Sequence, residues 1–319
     1  MNEVLKPIPK VWNVLIVDDV HPILIDGLSK LGHNVLYLPN SNRAEIIAAL
    51  PHQHVLVIRT KTPVDKDFLG QADELKIIAR AGAGTDNIDL AEAEMKKITC
   101  INAGEANSDA VAEQSLAMLL MLFTNLFRAN AQVKSGIWLR EPNRGIELAG
   151  KTVAIIGYGN TGKALAKKLS GMNVNLLAYD KYLSNFANQF VKESSWNEIF
   201  EEADVLTFHV PLSPETTYYF NKTLLSQFKK PIFLLNLSRG KVVNTGDLLL
   251  GLSQGKVLGA ALDVLENEQL ESMTEEEKKH FLQLCERENV ILSPHIGGWT
   301  KESYFKISEV LLDKLLTFK

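Results

Sequence analysis

"TVAIIGYGNTGKALAKKL", residues 152–169, is an apolar run, three glycines at 157, 159 and 162, and then a stretch of alternating small, apolar and basic residues. A continuous Val/Ile run predicts a strand covered on both faces, and the stretch from Thr161 predicts a helix. The glycines therefore sit on a strand-to-helix turn, the context that gives a G-x-G-x-x-G spacing its meaning. Gly157 permits the tight turn, Gly159 lets the backbone approach a pyrophosphate, and Gly162 lets helix and strand pack closely. Asn160 and Thr161 open the helix, whose unpaired N–H groups and positive dipole end suit phosphate oxygens. The next strand, "VNLLAYD" at 174–180, ends in Asp180. A carboxylate there accepts hydrogen bonds from an adenosine ribose and repels a 2′-phosphate, so the expected cofactor is NAD rather than NADP.

Working outward, five more apolar runs alternate with helical patterns: "VNLLAYD", "DVLTFHVP" (204–211), "PIFLLNLS" (231–238), "KVLGAALDV" (256–264) and "NVILSPH" (289–295). With residues 152–157 they make a six-strand doubly wound Rossmann unit. The first hundred residues alternate in the same way, with strands predicted at 13–18, 34–38, 54–60, 75–81 and 97–103. Between the two series, residues 107–133 contain neither Gly nor Pro and read as one long apolar helix, a hinge and dimer element. A last helix over 301–318 has no following strand and is expected to return to the first domain. The expected division is a substrate-binding domain of 1–106 with 296–319, and a NAD-binding domain of 107–295.

Composition narrows the partners. A formal net charge of −4 without a basic stripe excludes nucleic acid and anionic membrane as expected partners and leaves a small soluble ligand. The N-terminal "MNEVLKPIPK" lacks a signal-peptide core and the longest apolar run, residues 116–123, is too short for a membrane span, so a cytoplasmic protein is expected. Cys100 and Cys285 lie in apolar stretches and read as two reduced core thiols. No metal-ligand spacing stands out.

Ligands of doubly wound sheets bind outside the carboxyl ends of the strands. Three such ends carry ionisable groups: Arg239 in "NLSRG", the acids Asp263, Glu266 and Glu268 in "DVLENEQ", and His295 in "SPHIGG". A lone Arg or His at a strand end is usually a surface or capping residue; three together at one sheet edge indicate chemistry. The order GxGxxG, Asp, N-x-S-R-G, LDV…E and PH-x-G-G resembles the D-2-hydroxyacid dehydrogenase family over nearly the whole chain. The resemblance implies a Rossmann domain inserted into a flavodoxin-like substrate domain, and an Arg, Glu and His as catalytic groups, matched by Arg239, Glu268 and His295. It assigns Asp263 to the nicotinamide carboxamide and adds His209, Val210, Pro211, Leu237, Ser238, Gly297 and Gly298 to the cofactor surface. Glu266 receives no role and is read as solvated. Two departures stand out: Gln269 occupies the place of the proline that usually follows the catalytic Glu, and "TEEEKKHFLQL" lengthens the path to His295.

The resemblance also implies the substrate. Family members hold a substrate carboxylate on a glycine loop matched by "RAGAGTDNID", with Ala83 and Gly84 at its centre. In the phosphoglycerate dehydrogenase branch arginines grip the distal phosphate, and Arg59, Arg80 and Arg140 match, Arg140 reaching in from a second subunit of a homodimer. D-3-phosphoglycerate is thus the leading substrate, in the first step of serine biosynthesis. The chain ends soon after its last helix, so a short form without a regulatory domain is expected. Glyoxylate/hydroxypyruvate reductase and D-lactate-type activities are the alternatives within the family, and a NAD-sensing corepressor the alternative outside enzymes.

Overall fold

A computed structural model of the chain describes residues 10–318; the N-terminal stretch 1–9, read above for a targeting signal, and Lys319 lie outside them. The described residues form two compact units divided at Asn107/Ser108 and Gly298/Trp299, so that a continuous unit is inserted into a discontinuous one.

The discontinuous unit holds five parallel strands: β1 (Asn13–Ile16), β2 (Asn34–Tyr37), β3 (Val55–Ile58), β4 (Ile77–Arg80) and β5 (Thr99–Asn102), in the order β2-β1-β3-β4-β5 of flavodoxin-like sheets. Side chains alternate across the sheet. Val14 and Ile16 enter one core with Trp12, Leu24 and Leu28, while Leu15 and Val17 enter the other with Ile46, Phe68 and Leu69. The C-terminal helix Lys301–Leu316 belongs here: Ile307, Leu311 and Leu315, four residues apart, join the Trp12 core. The helix Pro22–Lys30 packs on it closely enough that a Cβ on Gly27 would press into Leu312.

The inserted unit has seven parallel strands: β6 (Thr152–Ile156), β7 (Asn175–Tyr179), β8 (Val191–Glu193), β9 (Val205–Phe208), β10 (Ile232–Asn236), β11 (Val257–Leu262) and β12 (Val290–Leu292). Their order, β12-β11-β10-β9-β6-β7-β8, reverses direction between β6 and β9 as in a Rossmann sheet, and it contains one strand more than the sequence series predicts. The extra strand, β8, is a three-residue edge with a single buried side chain, Val191, too short for a hydrophobic period to register.

Two further expectations are corrected. Residues 108–134 are not one helix but two, Ser108–Phe123 and Leu126–Lys134, bent by 69°. The break needs neither Gly nor Pro: Asn125 takes a left-handed conformation (φ 52°), and the Thr124 hydroxyl donates back to the Leu120 carbonyl at 2.7 Å. Cys285 is exposed rather than in a core, because it ends the helix Glu275–Cys285 whose inward residue is Leu284; both cysteines are free thiols. No single helix among the described residues is long and apolar enough to cross a membrane.

His209, just past β9, has a buried Nδ1 without a hydrogen-bond partner, and its Nε2 lies 2.9 Å from the Thr207 hydroxyl. Burial penalises the imidazolium and lowers the pKa to about 4. The unfolded chain therefore takes up this proton before the folded one does. The stability His209 contributes is complete above about pH 6.5 and is lost as pH falls through 4, an effect of roughly 3 kcal/mol. Denaturant titrations of His209→Asn should show a shallower loss of stability between those pH values than the parent, and an identical slope would contradict this account.

Candidate active site

The turn after β6 is shaped by its glycines. Gly157 has φ 91°, and a Cβ there would come within 2.5 Å of the His209 carbonyl. A Cβ on Gly162 would overlap the Gly157 carbonyl oxygen, whereas Gly159 faces open space. Gly159 caps the helix Asn160–Leu169 without a side-chain bond, so the N–H groups of its first turn are left for a ligand. An anion fits this cradle. Asp180 follows β7, and its Oδ2 accepts from the Tyr158 N–H at 2.8 Å while Oδ1 accepts from the N–H groups of Tyr182 and Leu183. The carboxylate thus ties the glycine turn to the end of β7 and retains a lone pair on Oδ2.

Arg239, Asp263 and His295 follow β10, β11 and β12, neighbours in the sheet. Asp263 is the most buried of the three, 1% exposed. Its Oδ1 accepts from Gln114 Nε2 (2.8 Å), Ser293 Oγ (2.5 Å) and the Ile296 N–H (3.0 Å), and its Oδ2 accepts from the Gly297 N–H (2.7 Å). Its main-chain carbonyl accepts from the His295 N–H at 2.7 Å. One residue therefore holds the whole turn that carries the histidine, which adopts the left-handed conformation at φ 55°. That backbone costs about 1–3 kcal/mol for a non-glycine residue and persists because the surrounding bonds fix it.

His295 Nδ1 lies 2.9 Å from Glu268 Oε2, with both side chains nearly half exposed. The carboxylate accepts only, so Nδ1 carries the proton and Nε2 is left as the acceptor. Glu266 makes no bond to this histidine and, only partly exposed, is engaged elsewhere: its Oε1 accepts from the Thr245 N–H at 2.6 Å. A cleft of about 370 Å³ flanks the pair, walled by Leu265, Leu270, Phe281 and Leu292. Arg239 is half-buried, and its Nη1 donates to the Ser238 carbonyl at 2.7 Å. Val210, Pro211, Leu237, Ser238 and Gly298 lie along the same ends of β9, β10 and β12.

In the discontinuous unit Arg80 ends β4 and Arg59 follows β3, its neighbour. The Arg80 guanidinium lies over Gly82, where a Cβ would overlap it. The Arg59 guanidinium sits 4.4 Å from the Trp299 ring centroid, and its main-chain N–H donates to Asp18 at 2.5 Å. Ala83 and Gly84 form the loop between β4 and the helix Leu90–Met95; the Ala83 carbonyl is fixed by Asn102 Nδ2, while neither amide has an acceptor among the described residues. Arg140 belongs to the inserted unit and is exposed. Sequence reasoning missed Gln114 and Trp299. A glutamine inside the apolar run "AVAEQSLAMLL" was the available signal for the first; no signal marked the second. No group of three or more His, Cys, Asp or Glu side chains among the described residues is placed to hold a metal ion.

Residues 116–297 match the model of the D-isomer specific 2-hydroxyacid dehydrogenase NAD binding domain. The D-3-phosphoglycerate dehydrogenase of Archaeoglobus fulgidus is 33% identical over 305 residues, 95% of this chain but 56% of that protein, so the chain spans about half the length of this relative. The hydroxypyruvate reductase of Thermotoga maritima is also 33% identical, over 85% of this chain and 86% of its own. Among solved structures, the D-lactate dehydrogenase of Aquifex aeolicus with NAD and lactic acid superposes with a TM-score of 0.84 at 25% identity, covering 96% and 95% of the two chains. The chain belongs to the D-isomer specific 2-hydroxyacid dehydrogenase family, and its inserted unit is the NAD-binding domain of that family.

Proposed function

We propose that the protein oxidises D-3-phosphoglycerate to 3-phosphohydroxypyruvate, with Arg239, Glu268 and His295 as its catalytic groups. NAD, when bound, accepts the hydride from C2. His295 Nε2 receives the hydroxyl proton, and the carboxylate of Glu268 keeps the ring oriented and compensates the charge it acquires. Arg239 binds the substrate carboxylate and the C2 oxygen, where negative charge develops when the keto acid is reduced. The glycine turn at 157–162 and Asp180 receive the pyrophosphate and ribose; Asp263, through its remaining lone pair, receives the carboxamide; the residues at the ends of β9, β10 and β12 complete the surface. The discontinuous unit binds the substrate, with the Ala83 and Gly84 amides donating to its carboxylate.

The observation that carries the choice of substrate is the placement of two guanidinium groups, Arg59 and Arg80, at adjacent strand ends beside that loop. Two cations next to a carboxylate site favour an acid with a second, phosphate charge over lactate or glyoxylate. Hydroxypyruvate reduction is the second reading, supported by the equally similar Thermotoga maritima enzyme. A homodimer is part of the proposal: Phe127, Ile137 and the 83%-exposed Trp138 give the stretch following the helix break an apolar surface, which a second copy would cover and beside which Arg140 would reach the partner's substrate.

Arg59→Ala should raise KM for 3-phosphoglycerate by about 10- to 100-fold and leave the constants for hydroxypyruvate within a few-fold. Equal effects on both substrates, or none, would remove the phosphate grip. His295→Gln should lower turnover roughly 10³-fold while fluorescence titration finds NADH binding unchanged; a variant with parental turnover would rule out the acid–base assignment. Light scattering should give a dimer for the parent and a monomer for Trp138→Glu, and a monomeric parent would refute the assembly.

A further inference from the structure

The loop that carries Glu268 has Gln269, not a proline, after the acid, and Glu268 and Gln269 are both exposed. Beside it lies a cleft of about 490 Å³, lined by polar groups such as Glu266, Glu277 and His280 as well as by Leu265 and Phe281; the loop packs on the core at Leu265, not at its exposed tip. Yet Glu268 reaches His295 with good geometry. Something else must fix it.

Three contacts do. Glu266 Oε1 accepts from the Thr245 N–H at 2.6 Å, at the first residue of the helix Thr245–Ser253, where a carboxylate also meets the positive end of the dipole. Asn267 Oδ1 accepts from the Gln269 N–H at 2.9 Å, closing a side-chain turn around Glu268, while its Nδ2 donates to Glu277 at 3.3 Å. Glu277 is itself fixed by the capping box of the helix Glu275–Cys285, where it accepts from the Thr274 N–H at 2.8 Å. Beneath the loop, Gly240 lies so close that a Cβ would overlap the Leu265 carbonyl, which sets the loop directly against the residue after Arg239.

We propose that Glu266 and Asn267 are positioning residues for the Glu268–His295 pair, tying the loop to two helix N-termini on either side of Glu268. The lengthened segment 274–285 thereby supplies the second tether, in place of a stiff backbone. This rests on the acid–base reading of Glu268 and His295 given above. Glu266 touches no reacting atom and acts through Glu268 alone.

The test is a double-mutant cycle on the full chain, with kcat measured using NADH and whichever of 3-phosphohydroxypyruvate and hydroxypyruvate turns over faster. Glu268→Gln is measured first, and parental turnover in it removes the acid–base reading itself. Given a loss there, Glu266→Ala should lower kcat by about tenfold with the NADH dissociation constant within twofold, while Glu266→Gln, which keeps an oxygen for the Thr245 N–H, should return to within about threefold of the parent. In the Glu268→Gln background Glu266→Ala should add less than about twofold, because the residue it positions is already disabled. Equal losses in Glu266→Ala and Glu266→Gln, or an undiminished loss in the Glu268→Gln background, would overturn the proposal. Should Glu266→Ala not fold, Asn267→Gly replaces it in the same cycle, with the same criteria and Asn267→Gln, which keeps both an amide N–H for Glu277 and an oxygen, as the conservative variant.

Discussion

The carboxylate of Asp263 is the constraint on which the chemistry of the inserted unit depends. At 1% exposure an unpaired carboxylate would be prohibitive, and this one is made tolerable by four donors from three segments: Gln114 of the broken helix, Ser293 at the end of β12, and the amides of Ile296 and Gly297. Satisfying it folds the turn after β12 tightly around the end of β11. The left-handed backbone of His295 follows from that turn. A histidine held this way cannot drift from a partner on the neighbouring strand end.

The strands were legible because both sheets are parallel and covered on both faces, which writes each one as a run of Val, Ile and Leu. The glycine turn was legible because Gly157 and Gly162 meet backbone rather than side chains, and no other residue fits. What stayed hidden was set by tertiary contacts. Val191–Glu193 is a strand because β7 offers it an edge, not because its three residues prefer one. The break at Asn125 is stabilised from outside the helix, where Asn125 Nδ2 donates to the Arg144 carbonyl and Gly145 admits the Phe123 carbonyl against its Cα. In the same way the resemblance singled out Glu268 in "DVLENEQ" but left Glu266 without a role, since what engages Glu266 is a helix N-terminus from residues 244–253 that comes to meet it.

Holding the loop by polar tethers, with Gln269 after the acid rather than a proline, sets what the loop depends on. A proline restricts its own backbone wherever it sits, at the expense of no other segment. The hydrogen bond from the Thr245 N–H to Glu266 and that from Asn267 to Glu277 restrict the loop only while those segments are folded in place. The order of the loop is therefore coupled to the helices Thr245–Ser253 and Glu275–Cys285, and a substitution in either, far from Glu268 in sequence, is transmitted to the histidine.

The proposed division of labour follows from how the two sets of charges are supported. Arg239, Glu268 and His295 hang from three adjacent strands of one sheet, and the Asp263 network ties the turn that carries His295 to the end of β11. Arg59 and Arg80 hang from two adjacent strands of another sheet, where Asp18, Trp299 and Gly82 set their positions. Each set is thus supported by residues of its own unit. Exchanging Arg59 or Trp299 therefore leaves the supports of the acid–base pair in place, which is the physical condition under which one family keeps its chemistry while its members differ in the acid they accept.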